Sequence, residues 1–178
     1  MKKIILFCWL AGAIGMLSAQ KVGYIDSEKI MAKIPEYQSS QQEIERVSEK
    51  WQKQLEEKYA AIEQLYQNYT AQEVLLPEDI KKEKQEEIFK AEREAKEFRE
   101  SKFGYNGALF LLQESKVKPI QDKLMRAVAV VAKKKRYAFV FDKAGEVTWM
   151  YTDGGYDISD DVLEEMGYKE EAGSTGGK

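Results

Sequence analysis

From residue 36 to residue 74 the chain contains neither glycine nor proline, and its larger apolar residues fall on one side of a helix. Ile44, Val47, Trp51, Leu55, Tyr59, Ile62, Tyr66 and Tyr69 recur every three or four positions among Glu, Gln and Lys, about 3.6 residues per step. This predicts a helix with a single apolar stripe. Leu75-Leu76-Pro77-Glu78-Asp79 interrupts it. Proline followed by acidic residues suits the first turn of a new helix, where no backbone donor is lost and the dipole favours negative charge. From Ile88 the apolar positions are stricter: Ile88, Ala91, Ala95, Phe98, Lys102, Tyr105, Leu109 and Leu112 alternate steps of three and four, with one polar member at Lys102. A repeat of about 3.5 residues implies left-handed supercoiling against a partner helix.

The simplest partner is the preceding helix. Residues 36–74 and 79–117 are equally long, so a turn at Pro77 returns the chain to its starting level. At 1.5 Å per residue each arm measures about 58 Å, too long for the interior of a globular domain, so the arms are expected to project. Gly104 and Gly107 fall inside the second arm. Each costs about 1 kcal/mol in a helix, which flanking heptads can absorb, so a flexible point rather than a break is expected there.

The flanking segments carry a different pattern. Val22–Asp26 reads as a short strand, and Ser27 stands where it would cap a short helix reaching Ile34, stopped by Pro35. After Pro119, the residues Ile120, Leu124, Ala127, Val128 and Val131 predict a helix that packs on a folded base. Residues 137–142 (YAFVFD) and 146–151 (EVTWMY) are strand candidates around Lys143-Ala144-Gly145, a hairpin signal. Ser159 is placed to cap a last short helix through Met166, and the polar, glycine-rich residues 170–178 are expected to be disordered. The predicted fold class is α+β. A small β-rich base is built from residues 20–35 and 119–169. A long antiparallel α-helical coiled-coil hairpin spans residues 36–118, with its tip near 75–79. Three short strands in one protomer leave unpaired edges and a small core, for which association is the usual remedy.

Composition narrows the chemistry. Residues 1–19 have a basic start at Lys2 and Lys3, an apolar stretch from Ile4 to Leu17, and small residues before Gln20, which together read as a signal peptide cleaved near Ala19. The stretch is shorter than the roughly 20 residues of a membrane-spanning helix. Cys8 lies near its start rather than at its end, which argues against lipidation. Cleavage removes the only cysteine, and the chain has no histidine, so thiol chemistry and the commonest general base are both missing. Removing Lys2 and Lys3 leaves 26 basic against 31 acidic residues, a balance that disfavours nucleic-acid binding. No serine lies in a G-x-S-x-G setting, and Gly173–Lys178 lacks the spacing and following helix of a phosphate loop. Asp153, Asp157, Asp160 and Asp161 read as turn and cap residues rather than a calcium loop. No enzyme activity, cofactor or metal is expected.

The order of parts has a counterpart among known families. A strand ending Tyr24-Ile25-Asp26 leads into the charged hairpin. There follow Lys118-Pro119-Ile120-Gln121-Asp122-Lys123, Val131-Ala132, residues 137–142 and Asp157-Ile158-Ser159-Asp160-Asp161-Val162-Leu163. In these segments the chain resembles the Skp (OmpH) family of periplasmic chaperones, from about Val22 to Met166. The resemblance implies a homotrimer, with three β-rich bases forming one body and three hairpins surrounding a cavity. It also implies a periplasmic, ATP-independent holdase that keeps unfolded outer-membrane proteins from aggregating. The competing reading is a coiled-coil spacer or adaptor of the cell envelope with a folded partner.

A holdase needs weak apolar contacts spread over a large surface. Phe89, Phe103 and Phe110 lie off the heptad seam at intervals of seven and fourteen, on one face of the second arm, and Tyr59 and Tyr66 are seven apart on the first. These five are the candidate client-binding residues; the alternative is that they broaden the packing between the arms or against the base. Tyr24, Phe139, Phe141, Trp149 and Tyr151 are the candidates for the oligomer base. The runs 81–84 and 133–136 read as a solvated hairpin tip and a helix C-terminus, with contact to acidic lipid headgroups or client charges as their functional reading. Unlike the strongly basic member of that family, residues 36–118 carry 14 basic and 18 acidic residues. Salt is therefore expected to change affinity little, or differently for different clients.

Overall fold

The computed structural model describes residues 20–145 and 148–168. Residues 1–19, where a signal peptide is expected, and residues 170–178, expected to be disordered, lie outside them. In chain order the elements are β1 (Lys21–Ile25), α1 (Ser27–Ala32), α2 (Pro35–Gln72), α3 (Glu78–Phe103), α4 (Ala108–Lys135), β2 (Tyr137–Asp142) and α5 (Ser159–Glu165). Single 3-10 turns stand at Glu73–Leu75 and Gly154–Tyr156. The chain divides into two compact units, one of residues 32–122 and one drawn from both sides of it.

The larger unit is the helical hairpin. Pro35 occupies the first turn of α2, where its missing N–H would have had no partner, and Pro77 directly precedes α3, whose first turn carries Glu78 and Asp79. The arms run antiparallel. Tyr69–Gln85, Tyr66–Glu92, Lys58–Glu94, Trp51–Phe103 and Glu43–Lys116 descend one arm while climbing the other. Ile88, Ala95 and Ile62 are buried between them.

Two expectations about the second arm are corrected. Gly104–Gly107 is a break between α3 and α4, not a flexible point within one helix. The Gly104 amide closes α3 onto the Glu100 carbonyl at 3.0 Å, the Gly107 amide donates to the Gly104 carbonyl at 2.8 Å, and Asn106 adopts φ 57°. A Cβ on Gly104 would lie 2.4 Å from the Glu100 carbonyl oxygen, and one on Gly107 would lie 2.9 Å from two more carbonyl oxygens. The return arm also takes thirteen residues, Phe103 to Lys116, over the span that α2 covers in eight, Trp51 to Glu43. The irregular segment absorbs the surplus, and Tyr105, expected in the seam, is 97% exposed. Conversely, the helix does not restart at Pro119, which sits inside the continuous helix α4. Its ring removes the donor that would meet the Ser115 carbonyl.

In the other unit β1 and β2 pair in parallel, Val22 opposite Phe139, Tyr24 opposite Phe141 and Ile25 opposite Asp142, with an irregularity after Lys21. A Cβ on Gly23 would meet the Tyr137 ring at 2.8 Å, so a larger residue there would have to displace that ring. The expected hairpin of 137–142 with 146–151 is therefore corrected. Lys143-Ala144-Gly145 does turn, with the Ala144 amide on Asp142 Oδ1 at 3.1 Å, but residues 148–151 carry no strand. Glu146 and Val147 lie outside the described residues. Strand β2 instead takes its hydrogen bonds from β1. Tyr24, Ile25, Ile30, Met31, Leu124, Ala127, Val131, Ile158, Val162, Leu163 and Met166 form the core of this unit.

The caps also differ from expectation. Asp26 rather than Ser27 caps α1, accepting from the Lys29 amide at 2.9 Å. Asp157 Oδ1 accepts from both the amide and the hydroxyl of Ser159, at 2.9 and 2.6 Å. The Ser159 hydroxyl then accepts from the Asp26 amide at 2.9 Å, tying the end of β1 to the start of α5.

Candidate functional site

The hairpin's surface follows from which residues its seam consumes. On α2 the half-buried and buried positions include Trp51, Leu55, Lys58, Ile62, Leu65 and Tyr69, again alternating four and three. The stripe read from the sequence was out of phase here. It counted Tyr59 and Tyr66, which are exposed, and passed over Lys58 and Leu65. Lys58 fits the seam because its ammonium lies 5.9 Å from the centre of the Phe98 ring, with its aliphatic stem available for packing. Lys102 does the same over Trp51 at 4.9 Å and Phe98 at 5.8 Å.

The five candidate client-binding residues separate accordingly. Phe103 is half-buried, its ring edge-on to Trp51 at 6.3 Å. Phe89 is 67% exposed and Phe110 49%. Tyr59 is exposed on α2 away from the tip, and the break separates Phe110 on α4 from the two phenylalanines of α3, so the structure does not gather the five into one site.

It does bring Tyr66 and Phe89 together. With Tyr69, Gln85 and Ile88 they line a hollow of about 270 Å³ between the arms near the turn. The Tyr66 hydroxyl donates to Glu92 Oε1 at 2.8 Å, the Tyr69 hydroxyl donates to Glu73 Oε1 at 3.2 Å, and Gln85 Nε2 donates to the Tyr69 hydroxyl at 2.8 Å. The hydrogen bond to Glu92 holds the Tyr66 phenol above its ordinary pKa, with desolvation and the carboxylate's charge acting in the same direction. Beyond the hollow, at the turn itself, Val74 is 92% exposed and Leu75 is nearly as open. Sequence reasoning took the Leu75-Leu76 pair only as an interruption, although apolar residues in a turn signal a contact surface. Phe110 lines a second groove of about 310 Å³ along α4 with Gln113, Glu114, Val117, Lys118 and Gln121.

In the other unit the candidate base residues also divide. Tyr24 is buried in the core, whereas Phe139, Phe141 and Tyr151 are exposed. Phe141 meets Trp149 edge-on at 5.6 Å, and the buried Trp149 indole N–H has no hydrogen-bond partner. Among the described residues no group of three or more His, Cys, Asp or Glu is placed to hold a metal ion. Asp153 and Asp157 accept from the Gly155 and Ser159 amides, as turn residues do.

Residues 21–166 match the family of OmpH-like outer membrane proteins, four-fifths of the chain. The chain belongs to that family. A crystal structure of an OmpH-like protein from Caulobacter crescentus CB15, for which an outer membrane chaperone role is suggested, shares its fold. The TM-score is 0.64 at 9% sequence identity, over 84% of this chain and 85% of that one. No curated protein matches by sequence. What this hairpin offers a ligand is a surface. It presents aromatic and aliphatic side chains that the seam leaves uncovered, with carboxylates beside them.

Proposed function

We propose that this chain is a holdase chaperone of the periplasm. It binds unfolded outer-membrane proteins without ATP, keeps them from aggregating, and works as a homotrimer. The observation that carries the reading is the set of apolar side chains left open on a hairpin whose seam is already filled: Phe89, Phe110, Tyr59, Tyr66, Val74 and Leu75. A spacer would bury such a set permanently against its partner. Each ring gains up to about 3 kcal/mol if fully buried and much less if partly covered, so several together retain a client reversibly. Membership of the OmpH-like family and the chaperone role suggested for the Caulobacter protein support the same reading, and the leader at 1–19 supports export. The action is stoichiometric binding, with no bond made or broken.

The test is dilution of a denatured barrel protein into buffer with and without the purified mature chain. A soluble complex of one client per trimer is expected, formed without nucleotide. Precipitation at the rate of the client alone would sink the reading. Phe89→Ser combined with Phe110→Ser is expected to lower retention severalfold, with helicity and oligomeric mass unchanged, since both side chains are open to solvent.

A further inference from the structure

The hairpin's negative charge is concentrated. Of the 18 acidic and 14 basic residues between positions 36 and 118, eight acidic and four basic lie between Glu63 and Glu92. The remainder balances at ten of each, so the whole excess sits on the stretch that forms the hollow of Tyr66, Tyr69, Gln85, Ile88 and Phe89. Two of those carboxylates, Glu92 and Glu73, accept from its two phenols at 2.8 and 3.2 Å. Aromatic faces attract cations, and chains of hydrogen bonds polarise their members, so a phenol donating to a carboxylate presents a more negative face.

Elsewhere the chain supplies such rings with its own lysines. Among the described residues these contacts fall on Trp51, Phe98, Tyr137 and Tyr168, and none falls on the three rings of the hollow. In the same stretch Lys84 pairs with Glu87 at 3.0 Å, and Lys81 pairs with Glu78 at 2.7 Å while also feeling the charges of Tyr69 and Glu73, so the chain's own lysine stands toward the Tyr69–Glu73 end of the hollow. The hollow's volume of about 270 Å³ is just below the roughly 300–1,000 Å³ of small-molecule sites and suits a single long side chain.

We propose that this hollow is a subsite for one cationic side chain, lysine or arginine, of an extended unfolded polypeptide. The aliphatic stem lies on Phe89 and Ile88, and the charged head sits at the end formed by Tyr66 and Glu92, away from Lys81. The proposal rests on the holdase reading in that its ligand is an unfolded chain, and it makes the salt dependence of binding specific to clients with basic residues.

The test uses the full mature chain and three fluorescent peptides. One alternates tyrosine, threonine and lysine, and the others carry glutamine or glutamate at the lysine positions. The lysine peptide is expected to bind about tenfold tighter than the glutamine peptide, with the glutamate peptide weakest. Phe89→Ser, and separately Glu73→Gln with Glu92→Gln, should each reduce that ratio to about one while circular dichroism shows unchanged helicity. Equal binding of the lysine and glutamine peptides overturns the subsite. So does a preference that survives Phe89→Ser, because it would then come from the general field alone. The same preparations are assayed for retention of a denatured barrel protein. Retention without a lysine preference overturns the subsite and leaves the holdase reading standing. A lysine preference without retention does the reverse.

Discussion

Lys102 occupies a seam position that the heptad assigns to an apolar residue. Its ammonium lies 4.9 Å from the centre of the Trp51 ring, and Phe103, the next residue, packs edge-on against the same ring. Trp51 is thus the residue on which this end of α3 is built. Trp51→Ala is expected to cost about 2 kcal/mol in urea unfolding, less than a fully buried tryptophan because the ring is half-exposed. Tyr105→Ala, at a position open to solvent, should stay within about 0.5 kcal/mol. Equal effects would show that the ring cluster does not hold the arms together. Near the turn, the bond from Tyr66 to Glu92 joins the two arms. It holds the phenol above its ordinary pKa, so the protonated form is the one stabilised. The bond's contribution is therefore present through neutral pH and is lost as pH rises through the raised pKa, above about pH 10. Tyr66→Phe should remove a component that titrates above the ordinary phenol range from the alkaline absorbance titration. An unchanged titration would place that component on another tyrosine.

The break at Gly104–Gly107 shows why a helix pattern alone misjudged an element. Counted residue by residue, two glycines cost little and the heptad continues through them. What decides the outcome is registry, because the return arm has more residues than the opposing stretch of α2 can accommodate as helix. The surplus is ejected where the side chains oppose it least. Gly104→Ala puts a Cβ against the Glu100 carbonyl oxygen and is expected to cost about 1–3 kcal/mol by urea unfolding. Hydrogen exchange should quicken first in α3 and α4 beside the break. A neutral or stabilising Gly104→Ala would mean that the two helices can fuse. The hairpin itself, its turn at Pro77 and the heptad from Ile88 to Lys102 were legible, because local periodicity and proline chemistry suffice for them. The phase of α2 was not, since Lys58 counts as polar until Phe98 is known to lie beneath it. The candidate site was legible only in part. Phe89 and Tyr66 could be named from their spacing, but Tyr69 and Gln85 join them only once the arms are in register.

At the scale of the molecule, the parallel pairing of β1 with β2 had no local signature. Its partners are more than a hundred residues apart, while Lys143-Ala144-Gly145 offered a plausible nearer turn. That pairing leaves β2 with one strand neighbour among the described residues, whereas Tyr24 of β1 also bridges Asp157. The other edge of β2 carries main-chain donors and acceptors without a strand to meet them, a surface that proteins normally cover. Phe139 and Phe141, two apart and so on one face, are exposed beside it. Trp149 packs edge-on against Phe141 and widens the apolar face beside that edge. A second copy of this chain is one cover that suits both the open edge and the exposed rings, and this face is where the proposed trimer is expected to form its contact. Phe139→Ser with Phe141→Ser is expected to lower the solution mass from about three chains to one by light scattering, since each ring contributes up to roughly 3 kcal/mol when buried. Both substitutions fall in the unit that does not contain the hairpin, so far-ultraviolet circular dichroism should keep most of the hairpin's helical signal. A mass that stays at about three chains in that variant would remove this face from the interface and leave the free edge of β2 needing another cover.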